Sequence, residues 1–532
     1  MSSVASTSIP SAPDPSHTVE LLRLKGLAQT GVASAMHRLG FMYFNGEGVA
    51  RDIELALHWY LKAGYAGLDH AQYNLGVMYQ RGQGAPQDDQ LAVHWYMLAA
   101  EQGYAAAQFN LGWMYAKGQG AAQDVKAARH WFTLAAMQGD AGAQNNLGMM
   151  YETGKGVTQD YQKATAWYAK AAAQGYARAQ FNLALRYDAG QGIEQDAQQA
   201  IAWFRKAAER GYAPAQFNLG LRYDKGQDIG QNSVEAMSWY RRAAEQSHAS
   251  AQFNLALVYD SAQAPLRSEA LALGWFRKAA EQGHAAAQDH LGLRYESGQG
   301  VEHDYAKALE WYRKAAAQGF AGAQYHLGLL YDAGHGVPAD SREAAEWFTK
   351  AAVQGHVRAQ FDLGLRSEAG AGVPQDDETA MIWYRRAADR DYVPAQFLLG
   401  ALFDRADSKL ADPDQATAWY LKAAAQGHAR AQFEMGLRYD SAKGVARDYQ
   451  AAYSWYIRAA RQGHARAQFN LGLMHANGQG ARRDLLAAYA WLVQADRGGL
   501  AGARKYMQHT QARMNAEQRS HAVRLHAELE IH

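Results

Sequence analysis

Six asparagines recur at one spacing: Asn74, Asn110, Asn146, Asn182, Asn218 and Asn254 stand 36 residues apart. Each side-chain amide offers a donor and an acceptor together, which suits an extended peptide backbone. The slot then holds His290, His326, Asp362, Leu398 and Glu434 before Asn470 restores it. Six residues past the slot, nine consecutive repeats carry an acid: Glu152, Asp188, Asp224, Asp260, Glu296, Asp332, Glu368, Asp404 and Asp440. These carboxylates would favour a basic segment. Arg186, Arg222, Arg294, Arg366 and Arg438 follow the Asn slot by one helical turn, a spacing that lets Arg366 pair with Asp362 and Arg438 with Glu434. Gln72 through Gln468, two residues before the Asn slot in twelve repeats, read as structural, as do the aromatics after them such as Phe181 and Phe217.

Catalytic chemistry finds less support. The chain has no cysteine, hence no thiolate nucleophile, disulfide or thiolate metal site. Histidines such as His58, His94 and His130 fall one per repeat, and packed helices stand about 8–10 Å apart, too far to share one metal ion. No H-E-x-x-H occurs, and the G-Q-G turns lack the strand and lysine of a phosphate loop. The expectation is a protein without enzymatic activity and without a cofactor. With 53 basic and 52 acidic residues, no global field favours nucleic acid. No stretch approaches the roughly 18 apolar residues that span a bilayer, so membrane insertion is not expected.

The elements that carry these residues are set by a 36-residue period. Thirteen of fourteen tryptophans obey it, from Trp59 through Trp275 to Trp491, with no insertion or deletion. Self-similarity of this length signals a repeat architecture. Each repeat reads as two helices. In the first, Ala107, Leu111 and Tyr115 form one apolar stripe; in the second, Ala128, Trp131 and Ala135 do the same. Seven residues before each Trp stands an N-cap type, Asp in eleven repeats with Asn232 and Ser268 in the others. Gly follows the tyrosine slot by three residues in ten repeats, as at Gly46 and Gly118, suiting a left-handed C-cap. Each Trp is expected to be buried between its own first helix and the adjacent repeat. The fold class predicted is an all-α solenoid, which escapes the size limit on single cores because each repeat packs only on its neighbours.

The segment Ala143–Gly175, A-Q-N-N-L-G-M-M-Y-E-T-G-K-G-V-T-Q-D-Y-Q-K-A-T-A-W-Y-A-K-A-A-A-Q-G, resembles the Sel-1-like repeat, a relative of the tetratricopeptide repeat. The resemblance implies a right-handed α/α superhelix of two-helix repeats. It also implies a scaffold binding protein or peptide partners, in bacterial signalling, envelope or secretion assemblies. In the related repeat the Asn slot lines the concave groove, which makes Asn74 to Asn254 candidate backbone contacts and Asp188, Asp224 and Asp260 candidate contacts to a basic segment. Some cysteine-rich relatives are linked to β-lactam hydrolysis, the alternative reading. This chain has neither their cysteines nor an S-x-x-K pairing of nucleophile and base. Departures are local: Asp228, Ala264 and Ser408 replace the second Gly of the turn, and Ser367 and His475 replace the tyrosine.

In chain order, residues 1–15 are Ser/Pro-rich and read as a disordered tail without a secretory signal. Residues 16–31 read as a capping half-repeat and 32–499 as thirteen full repeats. Residues 500–532 read as closing helices, with Asn515 and Gln518 as a capping box. A cytoplasmic location is expected. The oligomeric state is not legible.

Overall fold

The computed structural model describes residues 15–261, 267–406 and 408–531. These form 29 α-helices, and no strand occurs among the described residues. The expected tail lies outside the described residues except for Pro15, which opens the first helix, Pro15–Gln29.

Two compact bodies meet in sequence between Arg267 and Ser268. The first contains Pro15–Gln29, six helix pairs from Ala33–Asn45 to Ser233–Glu245, and Ala249–Asp260. The second contains Glu269–Glu281, six pairs from Ala285–Ser297 to Leu485–Arg497, and the closing helices Ala503–Ala512 and Ala516–Ile531. Within each body each helix packs on the one before it, except that the last, Ala516–Ile531, packs on Leu485–Arg497. This is the all-α solenoid architecture of tandem helix pairs.

Local chemistry explains the helix ends. Asp124 accepts from the backbone N–H of Lys126 at 2.8 Å and of Ala127 at 3.0 Å, capping Val125–Met137. The same Asp donates its own N–H to the Tyr115 carbonyl at 3.0 Å, which ties the second helix to the end of the first. Gly118 ends the first helix at φ 71° and donates to the Met114 carbonyl. Ala442, at the equivalent position, adopts φ 62° without glycine's freedom. Ser247, Asp391 and Asp228 also stand where most repeats have glycine, and they keep the left-handed backbone at φ 63°, 58° and 59°. The turn containing Ser408 does differ: its first helix stops at Asp404, and Arg405 is extended. Ala264 lies outside the described residues.

The tryptophans are not the centre of the core, contrary to the sequence expectation. Trp95, Trp239 and Trp419 are buried, but the other ten in the repeat register are only partly so. The aromatic one residue later is the enclosed one: Tyr96, Tyr168, Tyr240, Phe276, Tyr312, Phe348 and Tyr384 are among the largest fully buried side chains. The reason lies in the first helix. Gly76 lets the Tyr96 ring approach so closely that an added Cβ would stand 2.5 Å from it. Most of the indoles instead lie beneath a cation three residues on, as with Lys206 over Trp203 at 3.8 Å and Lys350 over Trp347 at 3.7 Å.

Candidate functional site

The Asn slot is half-buried in every repeat, and its partners differ from repeat to repeat. Beneath Asn74, Asn110 and Asn254 the tyrosine hydroxyl, of Tyr60, Tyr96 and Tyr240 in turn, lies close to the amide, whereas beneath Asn182 the Tyr168 hydroxyl donates to Glu152 at 2.5 Å. Burial pushes the Tyr60 hydroxyl up to about 12, with the Asn74 hydrogen bond opposing the shift. Asn74 Nδ2 also lies 3.0 Å from His37 Nε2. Where the aromatic is Phe132 or Phe204, the amide turns to other groups. Asn218 donates to the Pro214 carbonyl at 2.9 Å, and Asn146 accepts from Asn145 at 3.5 Å. Asn182 donates at 2.9 Å to Asn145, a fully buried amide standing in the aromatic slot. Asp289 takes the same slot in the second body and lies 2.8 Å from His326. In the first body Asn74 and Asn110 line one groove of about 590 Å³ with Phe41, Tyr73, Val77 and Tyr104.

The acids lie deeper in interactions of the stack than a contact surface would suggest. Glu152 accepts from Tyr168 at 2.5 Å and from Arg186 of the next repeat at 3.0 Å. Asp188 holds the buried Arg222 at 2.5 Å, Asp224 accepts from Tyr240 at 3.3 Å, and Asp260 is engaged as well. Asp332 pairs with Arg366 at 2.6 Å, and Asp404 pairs with Arg438. The one-turn pairs expected within a helix, Arg366 with Asp362 and Arg438 with Glu434, are therefore replaced by pairs across the repeat boundary. An arginine of the next repeat also answers the unfavourable placing of an acid in a last turn.

Glutamine forms a second internal ladder. Buried Gln108 donates to the Ala100 carbonyl at 3.1 Å, satisfying the end of the preceding second helix, and accepts from Gln138 at 2.8 Å. Gln144 repeats the pattern with Ala136 and Gln174, and Gln432 with Ala424 and Gln462. These side chains are structural.

One set of residues escapes the periodic reading. Three residues after the Asn slot every repeat has an apolar side chain, from Phe41, Val77, Trp113 and Met149 through Leu257 and Leu365 to Leu473. None of these seven is fully buried, and Phe41, Trp113, Met149, Leu257 and Leu365 are exposed. Slots three residues apart share a helix face, so an apolar rail runs beside the Asn rail in each body. The signal was present in the sequence: Trp113 is the one tryptophan out of register.

Among the described residues no three His, Asp or Glu side chains group to hold a metal ion, and no helix is long and apolar enough to cross a membrane.

The Sel1 repeat matches thirteen times in succession, from residues 33–68 to 465–495. A protective antigen of uropathogenic Escherichia coli strains with the SLR fold is similar at 34% identity and a TM-score of 0.68. The similarity covers 82% of this chain and 94% of that one. A Sel1 repeat protein from Oxalobacter formigenes is 31% identical, with a TM-score of 0.47 over 62% of this chain and 97% of that one. No curated protein is significantly similar to this chain. The thirteen matched repeats, the helix pairs they form and the similarity to the E. coli antigen place the chain in the Sel1 repeat family, generally a family of protein-interaction scaffolds.

Proposed function

We propose that the chain is a non-enzymatic scaffold that grips segments of partner proteins along the face built by its first helices. The single observation that carries this reading is the apolar rail. Packing does not account for a Trp113 left exposed beside Asn110, and exposed aromatics flanked by amides are what interfaces use as anchors. In this reading Asn74, Asn110, Asn146, Asn182, Asn218 and Asn254 hold the partner's backbone, and the apolar rail takes its side chains. Asp188, Asp224 and Asp260, being engaged with Arg222, Tyr240 and other groups, keep the face rigid and do not recruit a basic segment. The family's bacterial solved structures support a bacterial setting.

Selection of peptides from a displayed library on the full chain, followed by hydrogen exchange with and without the strongest binder, tests the reading. Protection is expected on first helices such as Ala105–Lys117 and Ala141–Thr153. Protection confined to second helices would overturn it.

A further inference from the structure

Four first helices carry an arginine at their second residue: Arg178, Arg358, Arg430 and Arg466. All four are exposed, and among the described residues none has a carboxylate within ion-pairing distance. The stack does not account for them. A first turn is the positive end of the helix dipole, where a cation is disfavoured. The arginines one helical turn past the Asn slot are engaged internally by contrast: Arg294 with Glu269, Arg366 with Asp332, Arg438 with Asp404 and Thr417.

Arg430 and Arg466 stand in successive repeats and line one groove of about 460 Å³ with Phe397, Phe433, Glu434 and His464. Glu434 is the only carboxylate in that lining, and burial, then Asp404, raises its pKa against the pull of Arg438, Lys443 and Arg466. Burial first, then Arg430 and Arg466, lowers that of His464. The two guanidiniums thus dominate the charge of the groove, and the phenyl ring of Phe397 supplies a half-buried apolar wall.

We infer that this groove docks an acidic, extended segment of a partner protein, with two carboxylates meeting Arg430 and Arg466. The inference rests on reading the first-helix face as the binding face and adds the chemistry of the partner. Neighbouring helices stand about 8–10 Å apart. A polyproline II segment rises about 3.1 Å per residue with three residues per turn, so side chains three apart lie on one side and about 9 Å from each other. The fitting pattern is Glu-x-x-Glu. An RNA backbone would also meet the guanidiniums, but the apolar wall and the near-zero charge of the chain favour a peptide.

The test is fluorescence anisotropy with the full chain and three labelled probes: a proline-rich peptide of Glu-x-x-Glu repeats, its Gln-for-Glu counterpart and a short single-stranded RNA. The acidic peptide is expected to bind at least about tenfold tighter than the Gln peptide at low salt, with the gap closing as salt screens the charges. Arg430→Gln with Arg466→Gln should erase the difference, while the exposed Arg342→Gln should leave it intact. The melting temperature of the double variant should be equal to the parent's or higher, since a cation leaves each first turn. Equal binding of both peptides by the parent and the double variant would overturn the acidic preference alone and leave the first-helix reading in place. Tighter binding of the RNA, lost in the double variant, would overturn the peptide assignment. Binding of no probe would overturn the inference, while the library selection judges the scaffold reading separately.

Discussion

Arg222 reaches out of its own repeat to Asp188 of the repeat before, at 2.5 Å, and its other terminal nitrogen holds Asp228 at 2.9 Å. The guanidinium is buried, whereas both carboxylates are partly open to water. Asp188→Ala should therefore cost only about 1–3 kcal/mol, because Asp228 still pairs the charge. Removing both acids should cost more than the sum of the single changes, since it strands a buried cation. Urea denaturation of the three variants measures this, and strict additivity would speak against the shared site.

The core aromatic and the tryptophan beside it should behave differently. Phe276→Ala is expected to cost about 3–5 kcal/mol, the range for a fully buried ring. Trp275→Ala should cost clearly less, because its indole is partly exposed and lies under Lys278 at 4.3 Å. Hydrogen exchange should show the Phe276 lesion spreading only to neighbouring repeats. A larger loss in the tryptophan variant would restore it to the centre of the core.

That contrast shows which parts of the molecule were legible beforehand. Helix caps such as Asp124 and Gly118 act on backbone groups a few residues away, so local letters suffice to read them. Trp311 and Tyr312 are neighbours on one helix, and the closer enclosure of Tyr312 depends on Gly292, twenty residues before it in another helix. Arg366 similarly passes over Asp362 in its own helix to reach Asp332. The Asn rail was visible as a periodicity, but the partner each amide takes, such as the buried Asn145 for Asn182, was not. The apolar rail hid because a leucine after L-G looks like core until its exposure is known.

Ala442 carries a left-handed backbone at the position where Gly118 ends its helix. A non-glycine residue pays roughly 1–2 kcal/mol there. Ala442→Gly should raise the stability of the second body by about 1 kcal/mol. Thermal unfolding checks this, and a lowered melting temperature would contradict the strain.

Among the histidines that cap first helices through Nδ1 are His248, His356, His428 and His464, each accepting a backbone N–H at 3.2–3.3 Å. Burial, the largest cause at each, lowers their pKa below the ordinary value of 6.5. The unfolded chain therefore binds protons first as pH falls. Stability should be level above about 6.5, decline as pH drops from there toward the folded values, and level off below them for these four groups. Replacing all four by Asn, which caps without titrating, should flatten that stretch of a melting-temperature profile. An unchanged slope would show that other groups carry it.

The binding face is tested most directly by titrating the library-selected peptide into the variant carrying Asn110→Ala, Asn146→Ala and Asn218→Ala. Asn182 is left in place because it supports the buried Asn145. Each amide–backbone bond contributes about 0.5–1.5 kcal/mol, so the three together should weaken binding at least about tenfold. The melting temperature should stay close to the parent's. Undiminished affinity would contradict the claim that the first-helix face grips the partner, and a collapse in stability would show the asparagines to be part of the stack instead.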